Sequence, residues 1–114
     1  MKIFSRHDFM ELPAGTIFAQ GVQWAMDGFN IKAETIYNSH GIAIDFFYKS
    51  FLNIEFDNSE QLFERYDEML KKGISYPINE SYAREGTFCS EDVFLVFEHD
   101  DLKTLVKEIQ SILQ

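Results

Sequence analysis

"FNIKAETIYNSHGIAIDFFYK", residues 29–49, contains two alternating segments separated by a turn. In residues 29–34 every second side chain is apolar, and in residues 42–49 one side carries Ile42, Ile44, Phe46 and Tyr48. Alternation with period two is typical of strands that bury one face. The "NSHG" between them, residues 38–41, is rich in turn formers. The stretch therefore predicts two antiparallel strands, with the apolar side of each buried and the other side solvated.

The residues before this stretch predict a short helix and two more extended segments. Ser5-Arg6-His7-Asp8 resembles a capping box, so we expect a helix over residues 5–11. Pro13 disfavours helical geometry in the residue before it, and "LPAG", residues 12–15, therefore ends that helix and starts a strand at Thr16. Asp27-Gly28 tolerates positive φ and predicts a hairpin turn.

The residues after it switch to helical periodicity. An apolar stripe with helical spacing contains Leu62, Phe63, Tyr66, Met69 and Leu70. One of residues 57–59 is expected to cap this helix, and residues 71–73 to close it. "VFLVF", residues 93–97, is apolar at every position, which predicts a strand in the sheet interior. A final amphipathic helix is expected to begin at Asp100 or Asp101.

These elements predict one domain, residues 1–114, of the α+β class. The expected architecture is an antiparallel sheet of about four to six strands with helices packed on one face. The expected order is α-β-β-β-α-β-α. Residues 54–56 and 74–80 are expected to add no more than short edge strands, because Pro77 interrupts the second segment.

Aromatic side chains are the departure from average composition. They are 16% of the 114 residues, and twelve of them are Phe. Each can bury roughly 150–250 Å², so the excess favours core packing. The alternative is an aromatic pocket for a small ligand, drawn from Trp24, Phe29, Phe47 and Tyr48.

A net charge of −9 argues against direct binding to nucleic acid or to an anionic membrane, because both require a basic surface. Four acids recur along the second predicted helix at Glu60, Glu64, Asp67 and Glu68. Their spacing places them on one helix face, where like charges destabilise the helix. We therefore expect this acidic face to bind a basic partner protein; the alternative is a face that only keeps the protein soluble.

No pattern in the sequence predicts a catalytic residue, a cofactor or a metal site. The three histidines lack metal-ligand spacing, and phosphate-binding and nucleophile-elbow motifs are absent. Cys89 is the single cysteine and has acidic neighbours, so a structural thiol is expected. A lone cysteine and an N-terminus without an apolar leader favour a cytoplasmic location with no membrane span.

Three segments, "FMELPAGTIF" at residues 9–18, "REGTF" at residues 84–88 and "VFLVFEHDDLKTLVKEI" at residues 93–109, resemble small uncharacterised proteins of bacteriophages and prophages. The resemblance covers most of the chain through turns and core runs, and it transfers no catalytic residue. It implies a host-cell cytoplasmic setting and an accessory role, often the binding of a host protein.

The leading hypothesis is a non-enzymatic protein-binding module that acts on a host defence or nucleic-acid-handling protein through the acidic face. The second hypothesis is a small-ligand-binding domain that uses the aromatic pocket. The third is a homo-oligomeric structural protein that associates through Phe47 and Phe51.

Overall fold

The computed structural model describes residues 1–22 and 25–114. In chain order the elements are β1 (Lys2–Ser5), α1 (Arg6–Met10), β2 (Ile17–Val22), β3 (Ala25–Tyr37), β4 (Ala43–Ser50), α2 (Ser59–Lys72), β5 (Ala83–Arg84), β6 (Val93–Phe97) and α3 (His99–Leu113). The described part of the chain has the α+β architecture expected from the sequence, with two short strands, β1 and β5, that the sequence pattern did not predict.

All six strands form one antiparallel sheet in the order β1-β6-β2-β3-β4-β5. The all-apolar strand β6 lies between β1 and β2, so its predicted interior position is confirmed. Its Phe94 and Val96 are buried on one face of the sheet, and Leu95 and Phe97 are half-buried on the other. We call the first face the core face and the second the outer face.

The core is a cluster of phenylalanine rings beneath α1. Phe9 of α1 lies 4.1 Å from Phe94, 4.6 Å from Phe18 and 5.2 Å from Phe46, measured between ring centroids. All four rings are fully buried. The predicted cap is confirmed, because Ser5 Oγ accepts a hydrogen bond from the Asp8 amide at 3.3 Å. A five-residue helix thus supplies the centre of the core.

Other local signals also match the structure. Asn38 Oδ1 accepts from the amides of His40 and Ile42 in the predicted turn before β4. Asn58 caps α2 by accepting from the Gln61 amide. Gly73 ends α2 with φ of 66°, in the left-handed region that glycine enters without a steric penalty.

The predicted Asp27-Gly28 turn is wrong. Both residues lie inside β3, which pairs with β2 as far as Ala25 opposite Val22. Gly28 has φ of 93° beside a register shift between Phe18 and Gln20. Positive φ serves a β-bulge as well as a turn, and the dipeptide alone does not distinguish the two.

The cap of the last helix differs from the prediction, whereas residues 54–56 and 74–80 add no strand to the sheet, within the limit that was expected. Glu98, before the predicted Asp100 or Asp101, caps α3, and Asp101 accepts from the Glu98 amide. Ile54 forms an isolated bridge with Ile78 and does not extend the sheet.

The buried side of β3 is the polar side, contrary to the expected arrangement. Asn30 and Lys32 are buried, while Phe29 and Ile31 are half-buried on the outer face. In β4 the predicted solvated side contains Asp45, which is fully buried. In β4, however, the predicted apolar side is the covered one, because Phe46 lies buried beneath α1. Apolar alternation thus marks the covered side of β4 but not that of β3.

Helices α2 and α3 project from the sheet, although both were expected to pack on it. Both are described throughout, and neither has a buried residue. The chain measures 50 × 36 × 24 Å, and its radius of gyration is 16.0 Å, against about 13 Å for a compact chain of this length. Its accessible surface is 7943 Å², whereas a compact monomer of 13.4 kDa exposes about 6,500 Å². Of the three helices, only α1 packs closely on the sheet.

Candidate functional site

The four predicted acidic residues lie on α2. Glu60, Glu64 and Asp67 are exposed, and Glu68 is half-buried. Asp67 pairs with Lys71 at 3.0 Å, one helical turn later, and Glu68 accepts from the Tyr76 hydroxyl at 2.6 Å. We call Glu60, Glu64, Asp67 and Glu68 the acidic row. Glu60 and Glu64 make no side-chain hydrogen bond or ion pair with the described residues, so at least half of the row is available to a partner.

An apolar stripe of three large side chains runs along the same helix. Phe63, Tyr66 and Leu70 are 67%, 44% and 85% exposed. Their spacing of i, i+3 and i+7 is the spacing of the anchors that an amphipathic helix inserts into a groove on another protein. We call these three residues the anchor stripe. Together with the acidic row it gives α2 both apolar contact area and charge.

Polar contacts with the flanking segments hold α2 in place. Arg65 donates to the backbone carbonyl of Glu55 at 2.6 Å, and its guanidinium lies 4.6 Å from the Tyr76 ring. The Tyr66 hydroxyl donates to Asn53 Oδ1 at 2.7 Å. These bonds fix the helix at both flanks while leaving Phe63 and Leu70 uncovered.

The aromatic residues predicted to form a pocket are not brought together. Tyr48 packs near Phe18 and Phe46 on the core face. Phe29 contacts Phe51 and Phe97 on the outer face, and strand alternation places Phe47 on that face too. Trp24 lies outside the described residues. Phe29 and Phe47 are therefore separated from Tyr48 by the sheet itself.

A buried charge cluster, which sequence reasoning missed, connects α1 to the segment after β5. The Arg6 Nη2 atom lies 2.7 Å from Glu85 Oε2 and 3.3 Å from Asp45 Oδ1. Arg84 Nε donates to Asp45 Oδ2 at 2.6 Å, and the Gly86 amide also donates to this carboxylate. Three residues of the "REGTF" segment thus bind partners in this cluster, which gives that segment a structural role.

The pKa values of both carboxylates are lowered. Burial alone would raise the pKa of Asp45, but hydrogen bonds from Arg84 and from the amides of Phe46 and Gly86 outweigh it. For Glu85, burial is likewise outweighed by hydrogen bonds from Arg6, Thr87 and Gln20. Both groups are therefore held as carboxylates.

Lys32 is a buried cation with a different environment. Its Nζ donates to Thr35 Oγ1 at 2.6 Å and to the Ala33 carbonyl at 3.2 Å, and Thr35 Oγ1 donates to the Met10 carbonyl. Burial lowers its pKa, and the charges of Glu11 and Glu34 only partly offset this. The chain of bonds ends on a carbonyl of α1, so Lys32 helps to fix that helix on the sheet.

The part of the chain that the structure describes holds no group of three or more His, Cys, Asp or Glu side chains arranged to bind a metal ion. None of the described helices is both long and apolar enough to cross a bilayer. Cys89 is half-buried, and its amide donates to Thr87 Oγ1.

Comparisons of this chain with protein-family models, with curated proteins and with solved structures found no match.

Proposed function

We propose that this chain is a non-enzymatic protein-binding module that binds a basic partner through α2. One observation carries the proposal: a fourteen-residue helix exposes the anchor stripe beside the acidic row and buries none of its residues. Exposed apolar side chains bordered by charge are typical of interaction surfaces. The acidic row favours a partner of opposite charge, and the overall charge of −9 would increase the association rate.

The setting of this function comes from the sequence resemblance. Small phage proteins often bind and divert a host protein, so we propose the cytoplasm of a host bacterium as the location. A host defence or nucleic-acid-handling protein is the proposed target, because such proteins carry the basic surfaces that an acidic row would attract. A direct contact of this chain with nucleic acid or an anionic membrane is not part of the proposal.

The test compares two charge variants in affinity capture from nuclease-treated bacterial lysate. The first replaces Glu60, Glu64, Asp67 and Glu68 with Lys. The matched control replaces four exposed acids elsewhere with Lys: Glu34, Glu80, Glu91 and Glu108. Each variant has a net charge of −1, because four reversals add eight charges to −9.

We expect the wild type and the control variant to retain one stoichiometric basic partner, and the acidic-row variant to lose it. A third variant, Phe63→Ser with Leu70→Ser, should also lose the partner without a change in charge. Equal retention by all variants would contradict the assignment to α2. Equal loss by both charge variants would show that overall acidity, not this helix, attracts the partner.

The outer face of the sheet favours a second candidate function, self-association. Phe29 lies 5.1 Å from Phe97 and 5.5 Å from Phe51 there, between ring centroids, and no helix packs closely on these rings. We propose a second copy of this chain as the occupant.

Light scattering at several concentrations tests this second candidate. We expect a dimer mass for the wild type and a monomer mass for Phe47→Lys with Phe51→Lys. A monomer mass at every concentration would exclude self-association through this face. The α2 variants should not change the mass, because α2 is not part of the outer face.

A further inference from the structure

A polar cleft of about 430 Å³ opens on the core face, beyond the phenylalanine cluster. Its floor comes from three neighbouring strands, with Gln20 on β2, Asn30 on β3, and Tyr48 and Ser50 on β4. The loop after β4 and the segment before β5 form one wall, where the Asn79 amide donates to the Asn53 carbonyl at 2.8 Å. The volume is within the range of small-molecule sites, roughly 300–1,000 Å³.

Asn30 is the unusual residue of this floor. It is only 7% exposed, and its side-chain amide makes no hydrogen bond with any described residue. Its polar atoms are not enclosed by protein, because the side chain lines an open cleft. The amide lines the cleft, where an occupant can hydrogen-bond to it.

The other polar groups of the floor are also oriented for binding. Gln20 Nε2 donates to Asp92 Oδ2 at 2.8 Å and to Glu85 Oε1 at 3.1 Å, which fixes the amide and leaves its oxygen as an acceptor. Burial, followed by the charge of Glu85, raises the pKa of Tyr48, so its hydroxyl remains a neutral donor. The Gln20 amide is thus oriented before any ligand arrives.

The charge of the cleft selects the kind of ligand. Its lining includes the carboxylates of Asp27 and Asp92, and no Lys or Arg among the described residues. Anions are therefore disfavoured, whereas a protonated amine would be attracted by the two carboxylates. Several amide and hydroxyl groups around them suit a ligand that also carries hydroxyl groups.

From this geometry we propose that the cleft is a binding site for a small hydroxylated amine, a class that includes the amino sugars. The Asn30 amide and the Gln20 oxygen hydrogen-bond its hydroxyl groups, and Asp92 with Asp27 pairs with its ammonium group. The site is separate from α2, and the proposal does not depend on the protein-binding function.

Titration followed by NMR of the uniformly ¹⁵N-labelled chain tests the proposal, with glucosamine as the probe. Glucose is the matched neutral control, because it has the same ring without the ammonium group. We expect saturable shifts of the Asn30 and Asn79 side-chain amides, with Kd on the order of 1–10 mM for a ligand of this size. Glucose should bind at least ten-fold more weakly.

Two variants locate the site. Asn30→Leu should abolish the shifts of the remaining cleft residues, because it removes the amide that bonds to the ligand. Asp92→Asn should weaken glucosamine binding by at least ten-fold and leave glucose binding unchanged. If Asn30→Leu fails to fold, Asp92→Asn alone decides the outcome.

The acidic-row variant tests whether the glucosamine ammonium group binds to the acidic helix α2 instead of the cleft. It should bind glucosamine with the Kd of the wild type. The proposal would be overturned by the absence of saturable shifts, by equal binding of glucose, by unchanged binding to Asp92→Asn, or by loss of binding in the acidic-row variant. Each of these results leaves the test of α2 as a protein-binding helix unaffected.

Discussion

Helices α1 and α2 differ in an instructive way. The first has five residues, of which Arg6, Phe9 and Met10 are buried. The second has fourteen residues, a well-formed cap at each end and an apolar stripe, yet it buries none of them. A good helix signal in the sequence therefore predicts that a helix forms, but not that it stabilises the fold. In this molecule the shorter helix stabilises the core, and the longer one remains available to a partner.

The largest effect that this comparison predicts is the loss of the central ring of α1. Phe9→Ala should lower the free energy of unfolding by about 3–5 kcal/mol, because it leaves a cavity among Phe18, Phe46 and Phe94. Phe63→Ala on α2 is the matched control and should change it by no more than about 0.5 kcal/mol. Urea denaturation measures both. Similar losses for the two variants would show that α2 is packed in solution.

The ion pairs of the two regions should also differ in how much they stabilise the fold. Asp45→Ala should destabilise the chain by about 3–5 kcal/mol, because it leaves buried Arg6 without one of its two carboxylate partners. Asp67→Ala removes an exposed pair with Lys71 on α2 and should cost about 0.5 kcal/mol or less. Urea midpoints at neutral pH provide the comparison, and a small effect of Asp45→Ala would mean that the cluster contributes little.

The buried cluster also predicts an acid sensitivity of the fold. The folded pKa values of Asp45 and Glu85 lie below the values of the unfolded groups, 3.8 and 4.5. Their contribution is therefore fully present above about pH 5 and is lost as the pH falls through the lower, folded values. The slope of stability against pH below pH 5 should be smaller in Glu85→Gln than in the wild type. An unchanged slope would assign the acid sensitivity to other groups.

The smallest effect concerns the cap of α2. Asn58→Ala removes the bond to the Gln61 amide and should weaken this helix by about 1 kcal/mol. Because α2 contributes little to the core, amide exchange should accelerate in the first turn of α2 while exchange in β6 stays unchanged. Faster exchange in both regions would indicate that the helix and the sheet unfold together.

Local chemistry explains which features could be predicted from the sequence. Ser5, Asn58 and Gly73 act within a few residues of themselves; the sequence predicts Ser5 and Gly73 directly and narrows the cap of α2 to residues 57–59, which include Asn58. The buried charge cluster was missed because Arg6 meets Asp45 and Glu85 across 39 and 79 residues of chain. The acidic row could be predicted from the sequence because its members are close together in the chain.

The two sides of β3 show a second limit of sequence reasoning. Alternation correctly separated Asn30 and Lys32 from Phe29 and Ile31, but it does not show which side a helix covers. The sequence feature that indicates the cleft is the set of polar residues on the core face of the strands. Gln20, Asn30 and Ser50 lie on three different strands, and only the pairing of β2, β3 and β4 brings them together.

The position of β6 in the sheet has a consequence for folding during synthesis. β6 follows the other five strands of this sheet in the chain, yet it pairs with both β1 and β2, and its Phe94 stacks on Phe9. Until it emerges from the ribosome, β2 has one unpaired edge that could pair with another chain. Such long-range pairing slows folding, to the range of milliseconds to seconds in comparable sheets. The nascent chain thus has an aggregation-prone interval that ends only when residues 93–97 insert between the first two strands.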